Sequence, residues 1–402
     1  MTQFDQQPGG PPRPAGQQTA PRHIGGPPPL SAPSKFALAG RNARLVILLG
    51  IAAVVAIAVA MVVFSNVGGS ASSSARPGVA KVINPGPLAN TATPVGNSVA
   101  TPTVGGTVFV GPTPGYLEIA PSGAYGYIAN RAAGVLTVFD AVRNTVTGTI
   151  PVRDGGPQFV AFSPDGNRAY VSIFNNERTV NEVGVLDTDT GAFIARIPVG
   201  VRPFALVVSP DGRRLYVPNH DSGGITVIDT ASNSVVTSIA VAPNPHWLTI
   251  SKDGSRLYAA NHESNLVSVI DTASNNVLTT VPVGKSPHSI VAHPSKPLVF
   301  VVNYDSSSVS VIDTTSNAVV ATVPTGSHPQ DVSLAADGKH AYVACVDQNA
   351  IQVLDTVTYQ ITATVPVGKS PTSVAISSDG RQAYVTNLAD GTVTTLNIAG
   401  TA

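Results

Sequence analysis

At 402 residues, with 23 Lys or Arg against 23 Asp or Glu, the chain has no formal net charge and only 11% of it is charged. Residues 1–100 hold seven basic side chains and one acidic, whereas residues 101–402 hold sixteen against twenty-two, so the larger part has no electrostatic reason to bind nucleic acid. A single cysteine, Cys345, excludes an internal disulfide.

Residues 1–43 are rich in Pro, Gly and Gln, with GGPPP at 25–29 and few sizeable apolar side chains. Such a stretch cannot bury a core, and a disordered tail is expected. Residues 44–65 contain the uncharged apolar run LVILLGIAAVVAIAVAMVVF at 45–64. At helical rise it spans a hydrocarbon layer of about 30 Å, which predicts one transmembrane helix. Lys35, Arg41 and Arg44 precede it and the first cation after it is Arg76, so the amino terminus is expected in the cytosol and the rest outside. A cleaved signal peptide ending near ASSSA at 71–75 is the rival reading; the long leader and long apolar run favour a signal anchor. Residues 66–105, rich in Gly, Ser and Pro, read as a linker.

From residue 106 to 402 one pattern recurs: a proline, an apolar strand, a turn such as SPDG, a strand such as YVPN, then VIDT, then a strand ending in PVG. The aromatic opening the second strand falls at Tyr127, Tyr170, Tyr216, Tyr258, Phe300, Tyr342 and Tyr384, with spacings of 43, 46 and then 42 throughout. Four short Val-, Ile- and Tyr-rich strands per period, with no 3.6-residue apolar pattern, predict an all-β, seven-bladed propeller of four-stranded antiparallel blades. The aspartates of the PDG-type turns (Asp165, Asp211, Asp253, Asp337, Asp379) and of the DT steps (Asp187, Asp229, Asp271, Asp313, Asp355) read as turn-forming rather than catalytic. The last unit stops after three strands, and residues 104–114, VGGTVFVGPTP, match the fourth-strand pattern of residues 361–371. An N-terminal strand around Thr107–Val110 is therefore expected to complete the last blade and close the ring.

The segments YIAN, YVSI, YVPN, YAAN, FVVN, YVAC and YVTN, with SPDG before and VIDT after, resemble the YVTN-type beta-propeller repeat family across residues 107–398. Ile173 and Cys345 depart from its Asn, and the second unit carries an insertion at 173–182. The resemblance implies the fold, but a range of functions that includes surface proteins, binding modules and lactonases.

Strands alternate in direction, so the connection before each proline and the loop after each YVxN share one rim, here the upper one. Residues just after the prolines, Gly115, Gln158, Phe204, His246, His288, Gln330 and Thr372, are expected to approach the central channel from above. Beside them lie the loops with His220 and Asp221, His262 and Glu263, and Tyr304 and Asp305, together with Trp247 and His328. These ten residues (His220, Asp221, His246, Trp247, His262, Glu263, His288, Tyr304, Asp305 and His328) form the candidate ligand-binding set, since imidazoles and carboxylates meeting in a funnel suit a polar ligand stacked on Trp247 or, as the lesser alternative, a divalent metal. Duplication of adjacent units is the bland account of the repeated histidines. No HExxH or comparable pattern appears, so no metal and no cofactor is expected, and no nucleophile with its base is evident from spacing. His293 and His340 read as incidental residues of the lower rim. The functional expectation is a membrane-anchored, extracytoplasmic binding or scaffold module of the cell envelope, taking a protein or small polar ligand on its upper face, with binding favoured over catalysis. A lactonase-like hydrolase using the same histidines is the alternative.

Overall fold

The computed structural model describes residues 96–400. The expected tail, the apolar stretch at 45–64 and most of the linker lie outside them. Among the described residues no helix is long and apolar enough to cross a membrane.

The described strands form seven four-stranded antiparallel sheets. Strand β1 (Ser98–Phe109) precedes the first complete sheet, which is β2 (Pro114–Ile119), β3 (Tyr125–Asn130), β4 (Val135–Asp140) and β5 (Thr145–Pro151). The second is β6 (Gly156–Phe162), β7 (Arg168–Phe174), β8 (Asn181–Asp187) and β9 (Ala192–Pro198). The third is β10 (Val207–Val208), β11 (Arg214–Asn219), β12 (Gly224–Asp229) and β13 (Ser234–Ala240). The fourth is β14 (Pro245–Ile250), β15 (Arg256–Asn261), β16 (Leu266–Asp271) and β17 (Asn276–Pro282). The fifth is β18 (Pro287–Ala292), β19 (Leu298–Asn303), β20 (Ser308–Asp313) and β21 (Ala318–Pro324). The sixth is β22 (Pro329–Leu334), β23 (His340–Cys345), β24 (Ala350–Asp355) and β25 (Ile361–Pro366). The seventh contains β26 (Pro371–Ile376), β27 (Gln382–Asn387) and β28 (Thr392–Ala399), with β1 on its outer edge. The architecture is a seven-bladed propeller.

The repeated sequence units explain the blades. Ser209 Oγ donates to Asp211 Oδ1 at 2.6 Å, the amide of Arg213 donates to the same oxygen at 3.0 Å, and Gly212 takes φ 73°. This is the turn chemistry expected of PDG, and the serine and aspartate contacts recur at Asp165, Asp253 and Asp379. The DT aspartates behave likewise: Asp229 Oδ1 accepts from the Ser232 amide at 2.9 Å and Asp271 Oδ1 from the Ser274 amide at 2.9 Å. The following threonine ties the two lower-rim turns together, Thr230 Oγ1 donating to Gly212 O and Thr272 Oγ1 to Gly254 O at 2.6 Å each.

The recurring aromatics pack between neighbouring blades. Tyr127, Tyr170, Tyr216, Tyr258, Phe300, Tyr342 and Tyr384 are all buried. Tyr258 shares a cluster with Ile290 and Val301 of the next blade, and truncating such a ring to Ala costs about 3–5 kcal/mol. The motif asparagine is a cross-strand tie: Asn219, Asn261, Asn303 and Asn387 donate from Nδ2 to Thr226, Ser268, Ser310 and Thr394, each at 2.9 Å. Where Cys345 replaces it, Gln352 supplies the amide, its Oε1 accepting from the Gly326 amide at 2.9 Å. Ile173 instead joins an apolar cluster between the first two blades.

Strand β1 pairs antiparallel with β28, Thr107 opposite Thr394 and Val108 opposite Val393. In the sixth blade, Thr364 and Val365 face Gln352 and Ile351 in the same places. The strand begins at Ser98, inside the stretch expected to be linker, because the lower rim holds it. The Ser98 amide donates to Asp337 Oδ2 at 2.8 Å, and Ser98 Oγ lies 2.7 Å from His340 Nδ1. Across the junction of first and last blades, Thr386 Oγ1 donates to Gly115 O at 2.7 Å and Tyr384 OH to Ala141 O at 2.8 Å.

Candidate functional site

The upper rim is assembled by one backbone device. The amides of His220, His262, Tyr304 and Val346, each following the end of a second strand, donate to the carbonyls of Arg202, Asn244, Ser286 and His328. Those four acceptors precede the blade prolines and all take left-handed φ between 53° and 61°. The bend brings the residue after each asparagine position beside the residue after each proline.

The result is a packed group of imidazoles. The ring centroid of His246 lies 4.2 Å from His288, 5.5 Å from His262, 5.6 Å from His220 and 4.1 Å from Phe204. His220, His246 and His288 are buried and His262 is half-buried. Burial pushes His246 well below the ordinary histidine range, helped by the imidazoles of His288, His262 and His220. His288 falls to about 3, chiefly from burial, and His262 is lowered for the same reason. The three are neutral imidazoles at pH 7.

Their hydrogen bonds differ. His220 Nδ1 is 2.8 Å from Asp221 Oδ1, and Asp221 is paired with Arg178 at 3.0 Å and Arg202 at 3.2 Å. Burial raises the Asp221 carboxyl, but the His220 bond and the two guanidinium groups hold it below the usual range. His288 is satisfied on both sides, Nδ1 by Gln330 O at 2.9 Å and Nε2 by the Gln330 side-chain amide at 3.2 Å. His246 has neither ring nitrogen bonded, and Nδ1 of His262 is also buried without a partner.

Trp247 belongs to the floor beneath this group. Tyr116, Phe159 and Trp247, each two residues past a blade proline, meet with centroids 5.0–5.5 Å apart. The inner strand of the third blade gives way here: Ala205 forms an isolated parallel bridge to Trp247, and regular pairing is left only at Val207–Val208. Farther along the channel sits buried Asp331, which accepts from Ser289 Oγ at 2.7 Å and from the amides of Val332 and Val374. Glu118 lies on β2 below Tyr116, and burial together with the Asp331 charge pushes it up to about 8.

The other expected residues are more exposed than the packed imidazoles. Tyr304 stacks on His328 at 4.6 Å, and His328 Nδ1 bonds Asp347 at 2.5 Å. Asp305 and Glu263 are exposed, and Asp305 accepts from Ser286 Oγ. A cavity of about 610 Å³ opens between the first two blades, lined by Tyr116, Arg131, Gln158, Phe174, Glu177 and Leu388. Phe174 in its lining packs against Phe204, which in turn packs against His246. Sequence reasoning missed Tyr116, Phe159, Arg178, Arg202 and Asp331. Their place two residues past a proline marks three of them, and the inserted loop carries Arg178. His293 and His340 are lower-rim residues: His293 accepts from the amides of Ser295 and Lys296 and bonds Gly338 O, and His340 holds Ser98.

The family described as Lactonase, 7-bladed beta-propeller matches residues 230–325, and that described as Cytochrome D1 heme domain matches residues 293–399. A solved structure, Kuenenia stuttgartiensis Hydrazine Synthase, is similar at 26% identity with a TM-score of 0.66, over 72% of this chain and 96% of that one. The propeller is related to theirs. No curated protein matches the chain. The lactonase match contains His246, His262, His288, Tyr304 and Asp305. In the cytochrome match, the upper-rim histidine is His328, which bonds Asp347 and stacks on Tyr304.

Proposed function

We propose that the chain is a membrane-anchored, extracytoplasmic propeller of YVTN-type repeats that binds a small polar ligand or a protein partner in the cell envelope through its upper face. One observation carries the reading: His246, 6% exposed, has two ring nitrogens without any hydrogen-bond partner. Leaving a buried polar group unsatisfied costs about 1–3 kcal/mol, and folded proteins rarely tolerate it without a bound group. The apolar stretch at 45–64 serves as the anchor. Strand β1 starts against Asp337 and His340, so the chain enters the ring from the lower rim and leaves the upper face clear of it. Pairing of β1 with the last three strands closes the ring.

The sole tryptophan, Trp247, sits under the imidazoles and reports on their occupancy. Titration of the full chain with polar ligands, sugar lactones among them, is expected to change Trp247 emission saturably, and His246→Ala is expected to abolish the change. No response to any ligand would refute a site there. Protease treatment of sealed spheroplasts should degrade the propeller; protection until the membrane is lysed would refute the topology.

The second reading, a hydrolase resembling the lactonases, is favoured by the match over the units that carry His246 and His288. A neutral imidazole is competent to take a proton from attacking water. Lactone hydrolysis lost in both His246→Ala and His288→Ala would decide for it, and ligand binding without turnover would decide against it.

A further inference from the structure

Resting on the reading of the upper face as a binding surface, we propose that His220, His262 and Glu263, with His246 as a fourth donor, form a site for a divalent transition-metal ion of the Zn²⁺ or Cu²⁺ type. One donor atom from each of His220, His262 and Glu263 lies within 4.8 Å of the other two. Donors on a common tetrahedral ion stand roughly 3.3 Å apart, so closure requires side-chain adjustments on the order of 1 Å. Imidazoles sharing one ion place their centroids roughly 5–6 Å apart. His246 lies 5.6 Å from His220 and 5.5 Å from His262, which are themselves 6.0 Å apart.

The surroundings fit this chemistry. The bond from His220 Nδ1 to Asp221 fixes the proton on that nitrogen and leaves the Nε2 lone pair free, which is the outer-sphere arrangement that orients metal-binding imidazoles. Arg178 and Arg202 hold Asp221 in place, so it serves as the orienting carboxylate and not as a ligand. Glu263 occupies the equivalent place one unit later yet makes no hydrogen bond or ion pair among the described residues. Copying by duplication alone does not account for this division of labour. His288 is excluded as a ligand because Gln330 occupies both of its nitrogens. Imidazoles and one carboxylate converging on a point suit a borderline metal ion, whereas an extended organic ligand calls for donors spread along it.

The test uses the full chain, stripped with a chelator and equilibrated by dialysis against Zn²⁺ and, separately, Cu²⁺, with bound metal counted per chain. One ion per chain is expected, with affinity falling at least about tenfold in His220→Ala and in His262→Ala and unchanged in His23→Ala. Glu263→Gln, on an exposed loop, is expected to weaken binding as well and keeps the test decisive if a buried histidine variant fails to fold. Less than stoichiometric metal, or equal affinity in wild type and Glu263→Gln together with whichever histidine variants fold, would overturn the site. A metal-free chain whose Trp247 emission still responds to an organic ligand would overturn the metal site alone, and loss of both signals would overturn the upper-face reading with it.

Discussion

Gly284 lies flat against the side chain of Asn303, so close that a Cβ on the glycine would stand 2.6 Å from the asparagine Cγ. The PVG glycine and the YVxN asparagine are thus two halves of one contact, repeated between Gly200 and Asn219 and between Gly368 and Asn387. Gly284→Ala must push Asn303 off its bond to Ser310, and is expected to cost about 1–3 kcal/mol in chemical denaturation. Gly106→Ala, where nothing lies within 4 Å, serves as the control and should be near neutral.

Deleting residues 98–109 removes the outer strand of the last blade and exposes the edge of β28. It also removes the ties from Ser98 to Asp337 and His340. A lower melting temperature and concentration-dependent aggregation are expected, by calorimetry and light scattering. An unchanged melting temperature would mean that β1 contributes nothing to closure.

The pairing of β1 shows how far the sequence can be read. The match between residues 104–114 and 361–371 sets Thr107 and Val108 in the places that Thr364 and Val365 take in the sixth blade, because register follows side-chain alternation and both stretches face the same kind of partner strand. Its start at Ser98 was hidden, since the contact with Asp337 spans most of the ring and leaves no local pattern. The histidines were legible as a group for the same reason the blades were: each unit places the residues after its proline and after its asparagine on one rim. What the repeat could not disclose was how they divide their partners. Gln330, the residue after the next proline, satisfies His288, whereas the residue in that place for His246 is His288, whose two ring nitrogens Gln330 already occupies.

Glu118 gives stability a pH dependence. The side chain is half-buried, and burial with the Asp331 charge pushes its carboxyl up to about 8 in the folded chain. In the unfolded chain it ionises near about 4.3, so between these values the unfolded state binds fewer protons and stability falls as pH rises, by at most about 1.4 kcal/mol per pH unit. Denaturation midpoints measured from pH 7 to 8, above the range in which the buried histidines ionise in the unfolded chain, should fall more steeply in wild type than in Glu118→Gln.

Cys345 is fully buried, and burial pushes its thiol up to about 11. It is expected to be inert to a thiol reagent at pH 8 in the native chain and to react once the chain is unfolded in denaturant. Rapid stoichiometric labelling of the native protein would contradict the packing of β23 against its neighbours.

An experimental structure of the full chain, purified without chelator, tests the central claim most directly through the difference density between His220, His246 and His262. The account predicts a bound group within contact distance of a His246 ring nitrogen. Density for a lone water there, or a His246 ring turned to bond protein atoms, would contradict it.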